Sequence, residues 1–161
     1  MRAVIRRTYG SPDSITIENI HPPTPKEEEI LVKVHTTTVN RTDCANLTGK
    51  PFIMHFVLGL FKPRKVIIGT DFAGEIVQVG KNVKGFKVTD RVFGLNDQVL
   101  ESQAEYITIK PERNVLTMPE NIDYKIAAAS LEGAHYAYSF VKKAIIKSGQ
   151  NILINGATGA I

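Results

Sequence analysis

Up to about residue 120 the sequence is cut by turn residues into short segments, and that rhythm restricts the chain to a barrel or sandwich of many short strands. Residues 3–7, 14–18 and 29–35 are the first strands, the last alternating Ile30, Val32 and Val34 with Leu31, Lys33 and His35. Tyr9-Gly10-Ser11-Pro12 and the proline-rich residues 21–25 separate them, because proline fixes φ and removes a ladder donor. Further strands are expected at residues 66–68, 72–79, 87–93, 104–109 and 115–118. After Pro119 the character changes. Asp123 can cap a helix over the alanine-rich residues 124–130, and a second helix is expected over 133–146, with Ala137, Val141, Ala144 and Ile145 on one face. Ser148-Gly149 stops it.

Residues 151–154 then form a compact apolar run of the kind buried on both faces in a parallel sheet, followed by the glycine turn of residues 155–159. Such a strand and turn normally feed a helix that covers the sheet. The sequence ends at Ile161 before any such helix, so the pattern predicts a piece of something longer. An edge strand with a loose glycine tail is the plainer reading.

Composition narrows the class. With 161 residues, 43% hydrophobic and 22% charged, the chain can bury one real core, and disorder is excluded as its main state. The net charge of +4 comes from 20 basic and 16 acidic residues distributed along the length. The densest basic cluster, Lys62, Arg64 and Lys65, has no interleaved aromatics for base stacking, so nucleic acid is not an expected partner. Cys44 is the only cysteine; it forms no internal disulfide and cannot supply a thiolate cluster, which fits a reducing compartment such as the cytoplasm. The first apolar run is interrupted by Arg6 and Arg7, so no export signal is expected. The longest apolar stretch, residues 51–61, is about half of the roughly 20 residues a spanning helix needs. An interfacial membrane contact there stays open.

The order of motifs resembles the zinc-free quinone oxidoreductase branch of the medium-chain dehydrogenase/reductase family. The resemblance rests on MRAV at the start, the YGSP turn, Pro23 and Pro25 before EILVKV, and VNRTD ending at Asp43. It continues with the run from Gly69 to Gly94, AEY ending at Tyr106, GAHYAY from Gly133, and SGQNILINGATGA from Ser148. It implies a mainly β fold with helices (α+β): a GroES-like, partly open barrel over residues 1–122, linker helices over 123–147, and the first strand and glycine turn of a Rossmann domain over 148–161. In that reading Gly156, Ala157 and Gly159 would approach the pyrophosphate of NADP or NAD, with NADPH favoured by the resemblance. The segment that would discriminate the two cofactors lies outside the sequence.

The resemblance also speaks to metal. Zinc-dependent relatives place a ligand cysteine where this chain has Asn40 and a ligand histidine where it has Thr70, followed by a glutamate where it has Asp71. With one thiol and no paired-histidine spacing among His21, His35, His55 and His135, no metal is expected. Reducing a quinone or enone spreads charge over a conjugated system, and hydrogen-bond donors can stabilise it without a Lewis acid. Asn40 and Thr70 are the candidate catalytic donors, Asn40 also facing the nicotinamide, and Tyr136 occupies a position where relatives carry a threonine near that ring. Asn40 also reads as a turn residue bonded to its own backbone, and Tyr136 as core packing. Asp43 and Asp71 read as orienting groups. Gly74, Gly80, Gly85 and Gly94 read as corners and bulges. Thr89 stands where relatives have glycine, so a changed turn is expected, and Leu47 replaces an arginine common in quinone reductases.

Residues 51–65 look like an insertion relative to the shortest relatives, and serve as a hydrophobic lid, a subunit contact or a membrane contact. The leading functional expectation is part of an NAD(P)H-dependent, zinc-independent oxidoreductase acting on a quinone, enone or carbonyl. A homodimer of the longer protein is compatible with it. The alternatives are a non-catalytic GroES-like binding module and a peripheral membrane protein.

Overall fold

The computed structural model describes residues 1–95 and 101–156. Strand β1 (Arg2–Arg6) pairs antiparallel with β2 (Ile15–Asn19) as a two-stranded ribbon. The main sheet contains β3 (Ile30–Thr37), β4 (Asp71–Val79), β5 (Arg91–Leu95), β6 (Tyr106–Ile109) and β7 (Val115–Thr117). Its order is β6-β3-β4-β5-β7, every pairing antiparallel. Single bridges Ala3↔Ala104 and Ile5↔Ile67 tie the ribbon to the sheet at one side. The result is a partly open barrel, as expected.

Alternation sets the core. Ile30 and Val32 from β3 meet Phe72 and Ile76 from β4, Val92 from β5, Ile107 and Ile109 from β6 and Val115 from β7. The opposite face of β4 offers Ala73, which packs with Met118 and with Ala127 and Ala128 of a long helix. Between Val34 and Thr36 the β3–β4 register slips by one residue beside Gly74, where an added Cβ would lie 2.2 Å from the Lys33 carbonyl oxygen. That bulge re-aims the end of β3, the segment leading to Asn40.

Three expectations need correction. Residues 66–68 form no strand and contribute only the bridge at Ile67. The strand expected from Lys87 starts at Arg91, because residues 87–90 form a turn: Lys87 N–H donates to Asp90 Oδ2 (2.9 Å) and Asp90 N–H to the Lys87 carbonyl (3.2 Å). Thr89 keeps a left-handed φ of 74°, so the turn expected to change retains a geometry suited to glycine.

The helices differ more. Helix α1 (Arg41–Thr48) and the short α2 (Met54–Leu58) were not legible from alternation, and α3 (Pro111–Asn114) is a single turn. The two helices expected after Asp123 are one, α4 (Tyr124–Ala144), with Asp123 capping it through the Ile126 N–H at 2.8 Å. Its first turns pack on the sheet, and Arg91 holds its start by donating to the Ile122 carbonyl while lying 4.9 Å from the Tyr124 ring centroid. The apolar face expected on the second helix is not covered: Val141 and Ile145 are exposed. Residues 151–154 join neither sheet and are exposed. A parallel strand needs flanking strands to satisfy its backbone, and among the described residues none pairs with this run. Among the described residues no helix is long and apolar enough to cross a membrane.

Candidate active site

Asn40 begins the site by ending a strand and starting a helix. Its extended backbone places it as the N-cap of α1, where its Oδ1 accepts from the Asp43 N–H (2.9 Å) and Asp43 Oδ2 accepts from the Asn40 N–H (3.1 Å). This reciprocal box satisfies two backbone donors that a helix start otherwise leaves open. Asn40-x-x-Asp43 followed by Gly49, left-handed at φ 66° beyond the last turn, was the available signal for α1.

The rest of the Asn40 amide is committed too. Its Nδ2 donates to Thr70 Oγ1 at 2.7 Å and to Asp71 Oδ2 at 2.9 Å. Because Oδ1 must face a backbone N–H and Nδ2 a carboxylate, the amide orientation is determined by its partners. Asp71 Oδ2 also accepts from Thr38 Oγ1 at 2.8 Å, and Thr37 Oγ1 donates to the Asp71 carbonyl at 2.7 Å. The orienting roles expected for Asp43 and Asp71 match these bonds.

Thr70 is buried, and it is placed by Gly69. Gly69 has φ 101°, and an added Cβ would lie 2.4 Å from Ser102 Oγ and 2.7 Å from the Gln103 nitrogen. Only glycine lets this backbone pass there. Thr70 lines a cavity of about 230 Å³ with Thr42, Leu95, Glu132, His135 and Tyr136. Its oxygen accepts from Asn40, and among the described residues no acceptor takes its own proton.

The cavity unites Thr70 with Tyr136, and Asn40 supports it from behind through Thr70. It adds Thr42, Glu132 and His135, which sequence reasoning missed. Glu132, His135 and Tyr136 are spaced three and four apart, so a single helix face carries all of them. Reading residues 124–144 as one helix would have exposed that pattern. Thr42 Oγ1 donates to Glu132 Oε1 at 3.3 Å, linking the first turn of α1 to α4. Gly156 is exposed at φ 75°, with nothing within 4 Å of a built Cβ, and has no part in the cavity. Ala157 and Gly159 lie outside the described residues. A larger open groove of about 410 Å³ between β1 and β3 is lined by none of the residues expected from the sequence to act.

Asp43 is the strained member electrostatically. It is buried, and desolvation first of all, then the nearby carboxylates of Asp71 and Glu132, raise its carboxyl from an ordinary 3.8 to about 6, against the pull of the Asn40 and Gly69 N–H groups. Its Oδ1 has no hydrogen-bond partner among the described residues, while Gln103 Nε2 reaches Oδ2 at 3.5 Å.

A partly open antiparallel barrel whose flank carries a hydroxyl-lined hollow beneath a covering helix is a GroES-like domain. Residues 26–146 match the alcohol dehydrogenase GroES-like domain family, and the chain belongs to it. It is 32% identical over its full length to human quinone oxidoreductase, of which it covers 47%. It is 31% identical, over 99% of its length, to the chloroplastic NADPH-dependent alkenal/one oxidoreductase of Arabidopsis thaliana, of which it covers 42%. In three dimensions it resembles the quinone oxidoreductase of Coxiella burnetii with a TM-score of 0.83 at 24% identity, covering 92% of this chain and 46% of that one. The chain therefore spans under half the length of the curated relatives it matches.

Proposed function

We propose that this chain is the substrate-side part of an NAD(P)H-dependent, zinc-independent oxidoreductase that reduces a quinone, enone or related conjugated carbonyl. The observation that carries the reading is the Thr70 hydroxyl, buried at a cavity wall, which accepts from Asn40 and, among the described residues, has no acceptor for its own proton. At about 230 Å³ the hollow is smaller than the pockets that enclose drug-sized ligands, which suits a single-ring or short-chain acceptor. The names of the relatives at 31–32% identity support the same acceptor class and a nicotinamide donor, NADPH in one of them.

In this proposal Thr70 donates to the acceptor oxygen as negative charge gathers there, and Tyr136 forms the opposite wall. Asn40 is a positioning residue rather than the direct donor expected from the sequence, since both of its amide protons are engaged by Thr70 and Asp71. Where a zinc site would need a thiolate and an imidazole, Asn40 and Thr70 hydrogen-bond to each other, a donor set poorly suited to zinc. A reduced nicotinamide would supply the hydride. The described residues offer it no pyrophosphate cradle: residues 151–156 are exposed and carry no helix N-terminus, so no step is assigned through the cofactor. We assign residues 1–122 to the barrel, 123–147 to a linker and 148–161 to the start of a dinucleotide-binding domain. The exposed apolar side chains of Tyr138, Val141, Ile145 and Leu153 support a further domain covering this end.

The test is a titration of the 161-residue chain with cyclohexenone followed by amide NMR shifts, alongside NADPH. Thr70, Glu132 and Tyr136 should move with the enone, and Thr70→Val should abolish the response. In a longer protein carrying the nucleotide domain, Thr70→Val should lower kcat about 100-fold, as loss of one oxyanion donor does. Micromolar NADPH binding to the short chain, or enone shifts confined to the β1–β3 groove, would overturn the assignment.

A further inference from the structure

Between Asp43 and Asp71 the sequence contains no acidic residue, yet it holds Lys50, Lys62, Arg64 and Lys65. Those four cations equal the whole formal excess of +4, so the remainder of the chain is electrically balanced. Lys65 is paired with Glu101 at 3.1 Å; among the described residues Lys50, Lys62 and Arg64 make no ion pair, and all three are exposed. The same stretch presents large apolar groups to solvent: Phe61 is 92% exposed, Phe52 68% and Phe56 64%, with Ile53 and Leu60 beside them.

Local packing explains why these groups point outward. His55 of α2 turns inward, its ring centroid 4.2 Å from that of Tyr9, and the Tyr9 hydroxyl donates to the Gly59 carbonyl at 2.6 Å. Gly49 lets His55 close in, since a Cβ there would lie 2.4 Å from His55 Nε2. The inner side of the segment is thereby pinned, and Phe52 and Phe56 stand edge to face at 6.0 Å on the outer side. Among the described residues none of 50–65 lines the cavity at Thr70, which argues against a lid role at that cavity.

We infer that residues 50–65 form a peripheral binding surface for anionic phospholipid bilayers, with Phe52, Phe56 and Phe61 entering the interface and Lys50, Lys62 and Arg64 meeting headgroup phosphates. The pairing of apolar anchors with a cationic segment that contributes no carboxylate of its own selects this occupant. A second copy docking through the same face would bring its own cations against these, with no acidic group in the segment to neutralise them. A nucleic acid would meet the cations but leave Ile53 and Leu60 with nothing apolar to cover them. The inference stands apart from the proposed catalysis.

The test is co-sedimentation of the chain with vesicles of phosphatidylcholine alone and of phosphatidylcholine mixed with phosphatidylglycerol. Binding is expected only with the anionic lipid and should weaken with salt. Lys62→Ser/Arg64→Ser should reduce partitioning about 30-fold, each cation near an anionic surface being worth about a factor of five. Phe52→Ser/Phe61→Ser should reduce it at least as far. Because the chain has no tryptophan, Phe61→Trp supplies a single reporter, whose emission should shift to the blue with anionic vesicles, while Leu116→Trp on exposed β7 should not shift. The Trp variants keep the test valid if a serine variant misfolds. Equal partitioning of wild type and variants, a shift at position 116 instead of 61, absence of binding, or light scattering showing self-association that Phe52→Ser/Phe61→Ser removes would each overturn the inference.

Discussion

Replacing Asp43 by asparagine should stabilise the protein at alkaline pH and remove a specific pH dependence. The native carboxyl titrates near 6, raised from 3.8 by burial and by Asp71 and Glu132. Between about pH 4 and 6 the native state therefore holds a proton that the unfolded chain has already lost. With more protons bound in the native state, stability falls as pH rises through that window and levels off above it. A displacement of this size corresponds to at most about 3 kcal/mol of lost stability at pH 8, and access of solvent to the site reduces it toward about 1 kcal/mol. In Asp43→Asn the new amide would retain an oxygen for the Asn40 N–H, so the helix cap survives, and it would place an uncharged group where Oδ1 now lies without a partner beside two carboxylates. Urea denaturation followed by far-UV circular dichroism at pH 4.5, 6 and 8 reads the difference directly. The variant's advantage should be smallest at pH 4.5 and grow by about 1–2 kcal/mol by pH 8. A difference that is flat across the three values, or a variant less stable at pH 8, would refute the reasoning.

Two other substitutions probe the backbone that holds the site. Thr89→Gly relieves a β-branched residue at φ 74°; the relief of about 1–2 kcal/mol, less the greater entropy that glycine loses on folding, should raise Tm by about 2–3 °C in calorimetry. An unchanged or lower Tm would show that Thr89 has compensating contacts. Gly69→Ala adds a Cβ 2.4 Å from Ser102 Oγ and 2.7 Å from a backbone nitrogen at a positive φ. It should cost about 3 kcal/mol or more in urea denaturation and perturb the amide resonance of Thr70, and a loss under about 1 kcal/mol would show the segment before β4 to be more pliant than its packing implies.

Much of this protein was written in local chemistry. Alternation of Ile30, Val32 and Val34, the turn residues between segments, and the Asp123 cap led to most of the barrel strands and to the start of the last helix, but not to its continuity through residues 131–132 or to the absence of a strand at 66–68. The pairing of Asn40 with Thr70 as site candidates was also legible, since the motifs carrying them resemble a known family, and the structure brings the two to 2.7 Å across a separation of thirty residues in sequence. What the sequence could not decide was which of Asn40's four hydrogen-bonding capacities would be left over. That depends on Thr70 and Asp71 arriving at the start of β4 and on Asp43 closing the α1 cap, and once all three are in place the proton without an acceptor among the described residues belongs to Thr70. The fate of residues 151–154 was likewise not a local matter: an apolar run becomes a buried parallel strand only where neighbouring strands accept its hydrogen bonds, and in this structure it lies exposed without them. Periodicity is a property of one segment, whereas hydrogen-bond satisfaction and burial belong to segments meeting in space, and only the tertiary structure supplies the partners.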